Sequence, residues 1–316
     1  MENLIGIFIA VTPPFLLLGV GFIARTVGWL RAEADVSLSM VTIRILYPCF
    51  ILFHILEEEN TKVNEATILM IVIGFLSILV GFFLAWVVSK IMKIEEESVR
   101  TFRFCAGIFN YGFIAIPVAL AFFDGEIVVH IILFNLGVEA AIWTIGILIL
   151  TADKFSLKGL LNPPVIAVFV ALIVQATGGK LLIPSFFWEV VAVLGQCSIP
   201  IGLLLIGGNF YQLINNFHFS NKLKTEISAL LVRNLLFPAL VVCFISSNFC
   251  PTNIPYLREV LVVQAAMPAG IFTLVIVSNY SSNQATALRV ISVTMLASIL
   301  TLAVWLSIGL SVLLAN

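Results

Sequence analysis

The sequence has few charged side chains. Only 10% of its 316 residues are Asp, Glu, Lys or Arg, whereas 61% are hydrophobic and the mean hydropathy is +1.15. Soluble domains carry about 25% charged residues. The 16 basic and 17 acidic side chains cannot cover the surface of a water-soluble chain of this length. The composition therefore excludes soluble enzyme folds and predicts an integral membrane protein.

The sequence also lacks the signatures of nucleic-acid, metal and enzyme sites. With a net charge of −1, it has no basic patch that could follow a phosphate backbone. The cysteines are five, an odd number without C-x-x-C spacing, so no disulfide framework or metal site is expected. No P-loop, H-E-x-x-H or G-x-S-x-G motif is present. We therefore expect a protein that is not an enzyme and uses no cofactor.

The sequence is instead rich in long apolar runs. A helix needs about 20 apolar residues to cross the roughly 30 Å of hydrocarbon in a bilayer. Ten such runs predict an all-α polytopic membrane protein with ten transmembrane helices. They are Leu4 to Ile23, Val36 to Leu56, Ala66 to Ile91, Thr101 to Phe123, Ile127 to Thr151, Pro163 to Thr177, Pro184 to Gly208, Thr225 to Ser247, Leu257 to Tyr280 and Ala285 to Leu314.

The polar segments between the runs are short, and their basic residues lie mainly on one side. The longest segment, Tyr211 to Lys224, leaves no room for a soluble domain. Ten basic residues belong to the segments after runs one, three, five and seven: Arg25, Arg31, Lys90, Lys93, Arg100, Arg103, Lys154, Lys158, Lys222 and Lys224. The opposite side has Lys62, Lys180 and Arg258. The positive-inside rule then predicts a multi-pass protein of the cell membrane with both termini outside the cytoplasm.

Prolines recur at a nearly constant distance along the chain. Pro13 and Pro164 are 151 residues apart, Pro48 and Pro200 are 152 apart, and Pro117 and Pro268 are 151 apart. This offset predicts a duplicated unit, with five runs in residues 1–160 and five in residues 161–316. An odd number of runs makes the second unit enter the membrane from the opposite side. The expected architecture is two inverted five-helix repeats, a transporter arrangement.

Runs four and nine are interrupted at equivalent positions. Run four contains the stretch from Asn110 to Pro117, and run nine contains the stretch from Gln264 to Gly270. Proline and glycine break helices, and a break at bilayer depth persists only where protein or a wet cavity satisfies the freed backbone groups. If the two helices cross at their breaks, the positive ends of their second halves, near Pro117 and Pro268, favour an anion there. Ordinary proline kinks are the alternative interpretation.

Four stretches resemble the auxin efflux carrier family, which includes plant PIN-like carriers and bacterial malate and malonate permeases. They are Leu46-Tyr47-Pro48, Asn110-Tyr111-Gly112-Phe113-Ile114-Ala115-Ile116-Pro117, Arg233-Asn234-Leu235-Leu236-Phe237-Pro238 and Met267-Pro268-Ala269-Gly270. The resemblance implies a scaffold bundle beside a transport bundle, with helices four and nine crossing at a carboxylate site. The substrate-binding residues it implies are Asn110, Tyr111, Gly112, Pro117, Gln264, Met267, Pro268, Ala269 and Gly270. The segment from Ala152 to Asn162, long in some plant members, is short here.

Three charged residues fall well inside the runs. Glu139 is the one acidic residue near the centre of a run, and a buried carboxyl group can exchange a proton near physiological pH. We therefore predict that Glu139 is the ion-coupling residue, with an ion pair to Arg44 as the alternative. Two interpretations of Arg233 are considered. Its guanidinium could donate hydrogen bonds to carbonyl groups freed by Pro238, or it could contact the substrate.

The function expected from these features is secondary active transport of a small organic anion, a mono- or dicarboxylate, by alternating access. Two alternatives remain open: a sodium-coupled carrier of the bile-acid symporter type, and a receptor or channel that binds ligand without carrying it. The expected partners are a small carboxylate and the lipid bilayer, with a homodimer left open. A static bundle of runs one, two, six and seven would face the moving helices.

Overall fold

The computed structural model describes residues 4–57, 65–151, 162–215, 223–280 and 282–315, and these residues are predominantly helical. The twelve helices within them are α1 Leu4–Thr26, α2 Ala34–Glu57, α3 Glu65–Ile91, α4 Glu96–Gly107, α5 Ala115–Leu120, α6 Ile127–Thr151, α7 Pro163–Ala176, α8 Ser185–Asn215, α9 Lys224–Ile245, α10 Leu257–Ala266, α11 Phe272–Asn279 and α12 Gln284–Ala315. No strand longer than a single bridge occurs among these residues. The all-α prediction is confirmed.

Six of the described helices are long and apolar enough to cross a membrane. They are α2, α3, α6, α8, α9 and α12, of which α8 qualifies over Ser185–Tyr211 and α12 over Gln284–Leu314. A shorter apolar helix, α7, follows the segment 152–161. That segment lies outside the described residues, as do the basic residues Lys62, Lys154, Lys158 and Lys222.

Three of the long helices contain a wider π-helical turn. These turns are Thr42–Leu46 in α2, Ile142–Gly146 in α6 and Leu231–Leu236 in α9. In α2 and α9 the π turn ends two residues before a proline, Pro48 or Pro238. A proline ring collides with the carbonyl group four residues earlier and donates no hydrogen bond to it. The wider turn relieves this collision, so both helices continue past their prolines.

The helices pack in two groups. In one group, α1 packs along α8, and α2 packs against both α7 and α8. In the other, α3 packs against α4 and α6, and α12 packs against α4, α9 and α10. The first group corresponds to runs one, two, six and seven of the sequence, and the two interrupted runs lie in the second group.

Candidate functional site

Each of the two interrupted runs is a pair of helices joined by a non-helical stretch. The helix α4 ends at Gly107 and α5 begins at Ala115, whereas α10 ends at Ala266 and α11 begins at Phe272. The backbone becomes extended directly after the first helix of each pair, at Ile108 (φ −102°, ψ 126°) after α4 and at Met267 (φ −73°, ψ 142°) after α10. The second half of the first pair begins near Pro117, as expected, whereas α11 begins four residues after Pro268.

The two interruptions cross and pair through their backbones. The Asn110 N–H donates to the Pro268 carbonyl at 2.8 Å, and the Gly270 N–H donates to the Ile108 carbonyl at 3.0 Å. Phe109 and Ala269 form an antiparallel bridge between these bonds. Each break thus satisfies one N–H and one carbonyl group of the other, which lowers the cost of breaking both helices in a low-dielectric interior.

A cavity of about 130 Å³ lies beside the crossing. Of the predicted binding residues, those that line it are Asn110, Tyr111, Gly112 and Gly270, and the predicted coupling residue Glu139 lines it as well. Pro117, Gln264, Met267, Pro268 and Ala269 do not line it. The last four are buried at the crossing, and Pro117 lies in the first turn of α5.

The wall opposite the crossing was not predicted from the sequence. Ser39 and Thr42 of α2 and Asn209 of α8 face the cavity from the other helix group. In the sequence, these three residues are marked only as polar residues within apolar runs. Polar residues occur in the same way where helices simply pack together, so the pattern does not identify a site. The cavity therefore lies between the two helix groups.

The first break supplies the cavity with backbone donors. In the described part of the chain, the N–H groups of Tyr111, Gly112 and Phe113 have no hydrogen-bond partner, and all three residues line the cavity. The Asn110 side-chain Nδ2 is also buried without a partner. No Lys or Arg side chain is among the lining residues. An anion bound here would be held by N–H groups rather than by a basic side chain.

Glu139 is the one charged side chain that lines the cavity. Its Oε1 accepts a hydrogen bond from the Tyr111 hydroxyl at 2.5 Å, and its Oε2 accepts from Trp143 Nε1 at 2.7 Å and Asn162 Nδ2 at 3.2 Å. Among the described residues, no basic side chain lies within 4.0 Å of it. Arg44 is exposed. The alternative of a Glu139–Arg44 ion pair is therefore wrong.

A network of amide groups connects the two breaks behind the cavity. Gln264 Nε2 donates to the Tyr111 carbonyl at 3.1 Å and to Asn135 Oδ1 at 3.3 Å. Asn135 Nδ2 donates to the same carbonyl at 2.9 Å. Gln264 is only 1% exposed. Its amide therefore holds the first break in place from within α10, and it does not reach the cavity.

Arg233 is fully buried at the end of α4. It donates to the Gly107 carbonyl at 3.5 Å, and its guanidinium lies 4.0 Å from the ring centre of Phe237 and 5.4 Å from that of Phe109. The carbonyl group freed by Pro238, that of Asn234, accepts from Trp305 Nε1 at 2.7 Å instead. The expected hydrogen bond from Arg233 to a carbonyl freed by Pro238 was therefore wrong. The side chain caps the end of α4.

Comparisons with known proteins point to membrane transport. A family described as "Membrane transport protein" matches residues 6–154 and 148–306. Among curated proteins, an uncharacterized transporter of Methanocaldococcus jannaschii is 27% identical over 300 residues, which are 92% of this chain and 94% of the relative. Both similarities extend over almost the whole chain, including the two helix breaks.

Proposed function

The chain belongs to the membrane transport protein family, which confirms its resemblance to the auxin efflux carriers, and we propose that it is a secondary active transporter of a small organic anion. The proposed substrate is a mono- or dicarboxylate that binds at the crossing of the two breaks. One observation carries this proposal: a cavity between the two helix groups is lined by Tyr111, Gly112 and Phe113, whose backbone N–H groups have no hydrogen-bond partner among the described residues. Such groups bind carboxylates without a basic side chain.

The proposed architecture is ten transmembrane helices in two inverted five-helix repeats, residues 1–160 and 161–316. In this arrangement α4 with α5 forms the fourth transmembrane helix, and α10 with α11 forms the ninth. The proline offsets and the paired breaks support it. The distribution of basic residues supports termini outside the cytoplasm. A homodimer is compatible with this arrangement and is tested by the oligomeric state in detergent.

The proposed mechanism is alternating access. The group of α1, α2, α7 and α8 would stay fixed while the crossed helices and their neighbours move against it. The packing of the helices in two groups, with the cavity between them, supports this division. Glu139, the charged residue in the cavity wall, would bind the coupling ion. Catalysis has no part in the proposal.

Ligand binding is tested with the purified full-length protein. We expect a small carboxylate from a panel of malate, malonate, lactate, indole acetate and bile acids to raise the melting temperature. Asn110→Ala should remove that shift, because it deletes the unpaired Nδ2 in the cavity wall. Asn253→Ala, on an exposed residue before α10, is the matched control and should keep the shift. A shift unchanged in Asn110→Ala would place the site elsewhere.

Transport is tested by counterflow in proteoliposomes with the ligand that the melting assay identifies. A carrier exchanges labelled for unlabelled substrate across the membrane, and a receptor does not. Binding without counterflow would therefore favour the receptor. Flux that saturates poorly and shows no exchange acceleration would favour a channel. Replacing sodium by choline separates the proposed carrier from a sodium-coupled carrier of the bile-acid symporter type. Transport by the sodium-coupled type would stop without sodium.

A further inference from the structure

The hydrogen bonds around Glu139 restrict which ion it can bind. Its two carboxylate oxygens already accept three hydrogen bonds, from Tyr111, Trp143 and Asn162. All three donors direct a positively polarised hydrogen at the carboxylate. These donors occupy three of the roughly four lone-pair positions of the carboxylate, so a metal cation, which needs several oxygen ligands, would have to compete with them for the carboxylate oxygens. Two of these donors, the indole N–H of Trp143 and the amide NH₂ of Asn162, can only donate hydrogen bonds and cannot accept them.

The Tyr111 hydroxyl is different because it can donate or accept. If Glu139 gains a proton on Oε1, this hydroxyl can rotate and accept the new O–H, while Trp143 and Asn162 continue to donate to Oε2. We propose that Glu139 binds a proton and no metal cation, and that the hydroxyl of Tyr111 changes from donor to acceptor when it does so. The consequence for transport rests on the proposed function, whereas the proton site itself does not.

A second, water-sized cavity adjoins the same carboxyl group. Its volume is about 20 Å³, and it is lined by Glu139, Tyr111, Tyr47 and Asn135 together with apolar side chains. A cavity above about 10–15 Å³ with two or more polar partners can hold one water molecule. Glu139 and Tyr111 line both this cavity and the larger one. The carboxyl group therefore stands between the two, where a proton can reach it from the larger cavity.

Tyr111 connects the proton site to the crossing of the breaks. Its side chain contacts Glu139, while its backbone carbonyl accepts hydrogen bonds from Asn135 of α6 and Gln264 of α10. One residue of the first break is therefore bonded to the proton site and, through α10, to the helix that precedes the second break. A changed hydrogen bond at the hydroxyl acts on a residue that fixes the crossing. Tyr111 is a positioning residue in this proposal.

The titratable groups that face Glu139 from neighbouring elements are two hydroxyls, Tyr47 of α2 and Tyr111 of the break. Further charged or titratable residues lie on the helices that pack against α6. They are Asp35, Arg44, Cys49, His54 and Glu57 of α2, Glu65 and Lys90 of α3, Glu96, Glu97, Arg100, Arg103 and Cys105 of α4, and Arg258 and Glu259 of α10, while α6 itself carries His130. Among the described residues, none of the basic ones lies within 4.0 Å of Glu139. The charge of Glu139 is therefore balanced by neutral donors.

Protonation also changes what the larger cavity can bind. An ionised Glu139 places a negative charge in the wall of a cavity proposed for a carboxylate, and like charges at short distance repel. A neutral Glu139 removes this repulsion. Anion and proton would then bind together, and anion affinity would rise as the pH falls, by up to about tenfold per pH unit when one proton is taken up.

The proton site is tested without any substrate, by infrared difference spectroscopy of the full-length protein between about pH 5 and pH 8 in choline chloride. We expect a carboxylic-acid C=O band that is lost in Glu139→Gln. In Tyr111→Phe the same band should remain and shift to higher frequency, because the O–H loses its acceptor. Tyr280→Phe, a tyrosine at the end of α11 with no hydroxyl hydrogen bond in the described residues, is the control and should leave the band unchanged.

Two results would overturn this inference. One is a wild-type spectrum without a carboxylic-acid C=O band that depends on Glu139, together with a Tyr111→Phe spectrum that is identical to the wild-type spectrum. The other is a rise in melting temperature when sodium chloride replaces choline chloride at equal ionic strength, present in the wild type and absent in Glu139→Gln. Neither readout requires transport. A protein with this band but no counterflow would refute the carrier function and keep the proton site.

Discussion

The two helix breaks look equivalent in the sequence but contribute differently to the structure. The first opens to the cavity, which Asn110, Tyr111 and Gly112 line. The second break reaches the cavity through Gly270 and Ile271, whereas Met267 and Ala269 are fully buried and the Ala269 N–H donates to Thr294 Oγ1 at 3.2 Å. The first break thus contributes five consecutive residues, 109–113, to the cavity wall, and the second break contributes two while its centre pairs with its surroundings.

In the proposed pair of repeats, the two equivalent breaks therefore contribute unequally to the proposed binding site. Most of the cavity wall at the crossing comes from the first break, and the buried residues Met267 to Ala269 together with Gln264 support it from behind. Substitutions in the first break should therefore change ligand binding more than folding. Substitutions at the buried positions of the second break should change folding more than ligand binding. Experiments can test this contrast.

The largest contrast is expected between the two glycines of the breaks. A Cβ at Gly270 would lie 2.9 Å from the Phe109 carbonyl oxygen, a backbone atom that can move only if the crossing opens. Gly270→Ala should cost about 3 kcal/mol of stability, at the upper end of overpacking effects. A Cβ at Gly112 would meet only the Tyr47 hydroxyl, at 3.4 Å.

Gly112→Ala should therefore fold with a melting temperature near that of the wild type while its methyl group narrows the cavity and weakens ligand binding. Thermal unfolding measures the stability of Gly270→Ala and Gly112→Ala. The ligand-induced shift in melting temperature then measures binding by Gly112→Ala. Equal destabilisation by the two substitutions would show that both breaks are packed alike. That result would remove the distinction between them.

A smaller contrast separates the two amides. Gln264→Leu removes two buried hydrogen bonds, to the Tyr111 carbonyl and to Asn135, and should cost about 2 kcal/mol. The Asn110 side chain has no hydrogen bond in the described residues, so Asn110→Ala should cost less than about 1 kcal/mol. Denaturant or thermal unfolding measures both. A larger loss in Asn110→Ala would show that this side chain braces the fold.

Local features of the sequence predicted the helices and the two breaks. Apolar runs and proline-glycine stretches act through the nearest turns of the chain, so two interruptions were predicted at 110–117 and 264–270 without knowledge of the packing. The non-helical residues are 108–114 and 267–271, so each predicted stretch overlaps its break but misses its exact bounds. Glu139 was found because a carboxyl group in an apolar run is conspicuous. Its partners were not: Tyr111 and Asn162 lie 28 and 23 residues away in sequence.

The asymmetry of the site could not be predicted for the same reason. How much of each break faces the cavity depends on helices far along the chain, such as α8 with Asn209 and α12 with Thr294. Arg233 illustrates the point. Its nearest proline suggested a local partner, but its hydrogen bond goes to Gly107, 126 residues away.

The smallest expected effect concerns Thr294, which braces the second break from α12. Its hydroxyl accepts from the Ala269 N–H at 3.2 Å and donates to the Val290 carbonyl at 2.8 Å. Thr294→Val keeps the shape of the side chain and leaves the buried N–H unpaired, which should cost about 1 kcal/mol. Thr294→Ser keeps the hydroxyl and serves as the control. Because the residue lies behind the crossing, the ligand shift of Thr294→Val should match the wild type. If Thr294→Val lost ligand binding at unchanged stability, the second break would belong to the binding surface, and the division between the two breaks would be wrong.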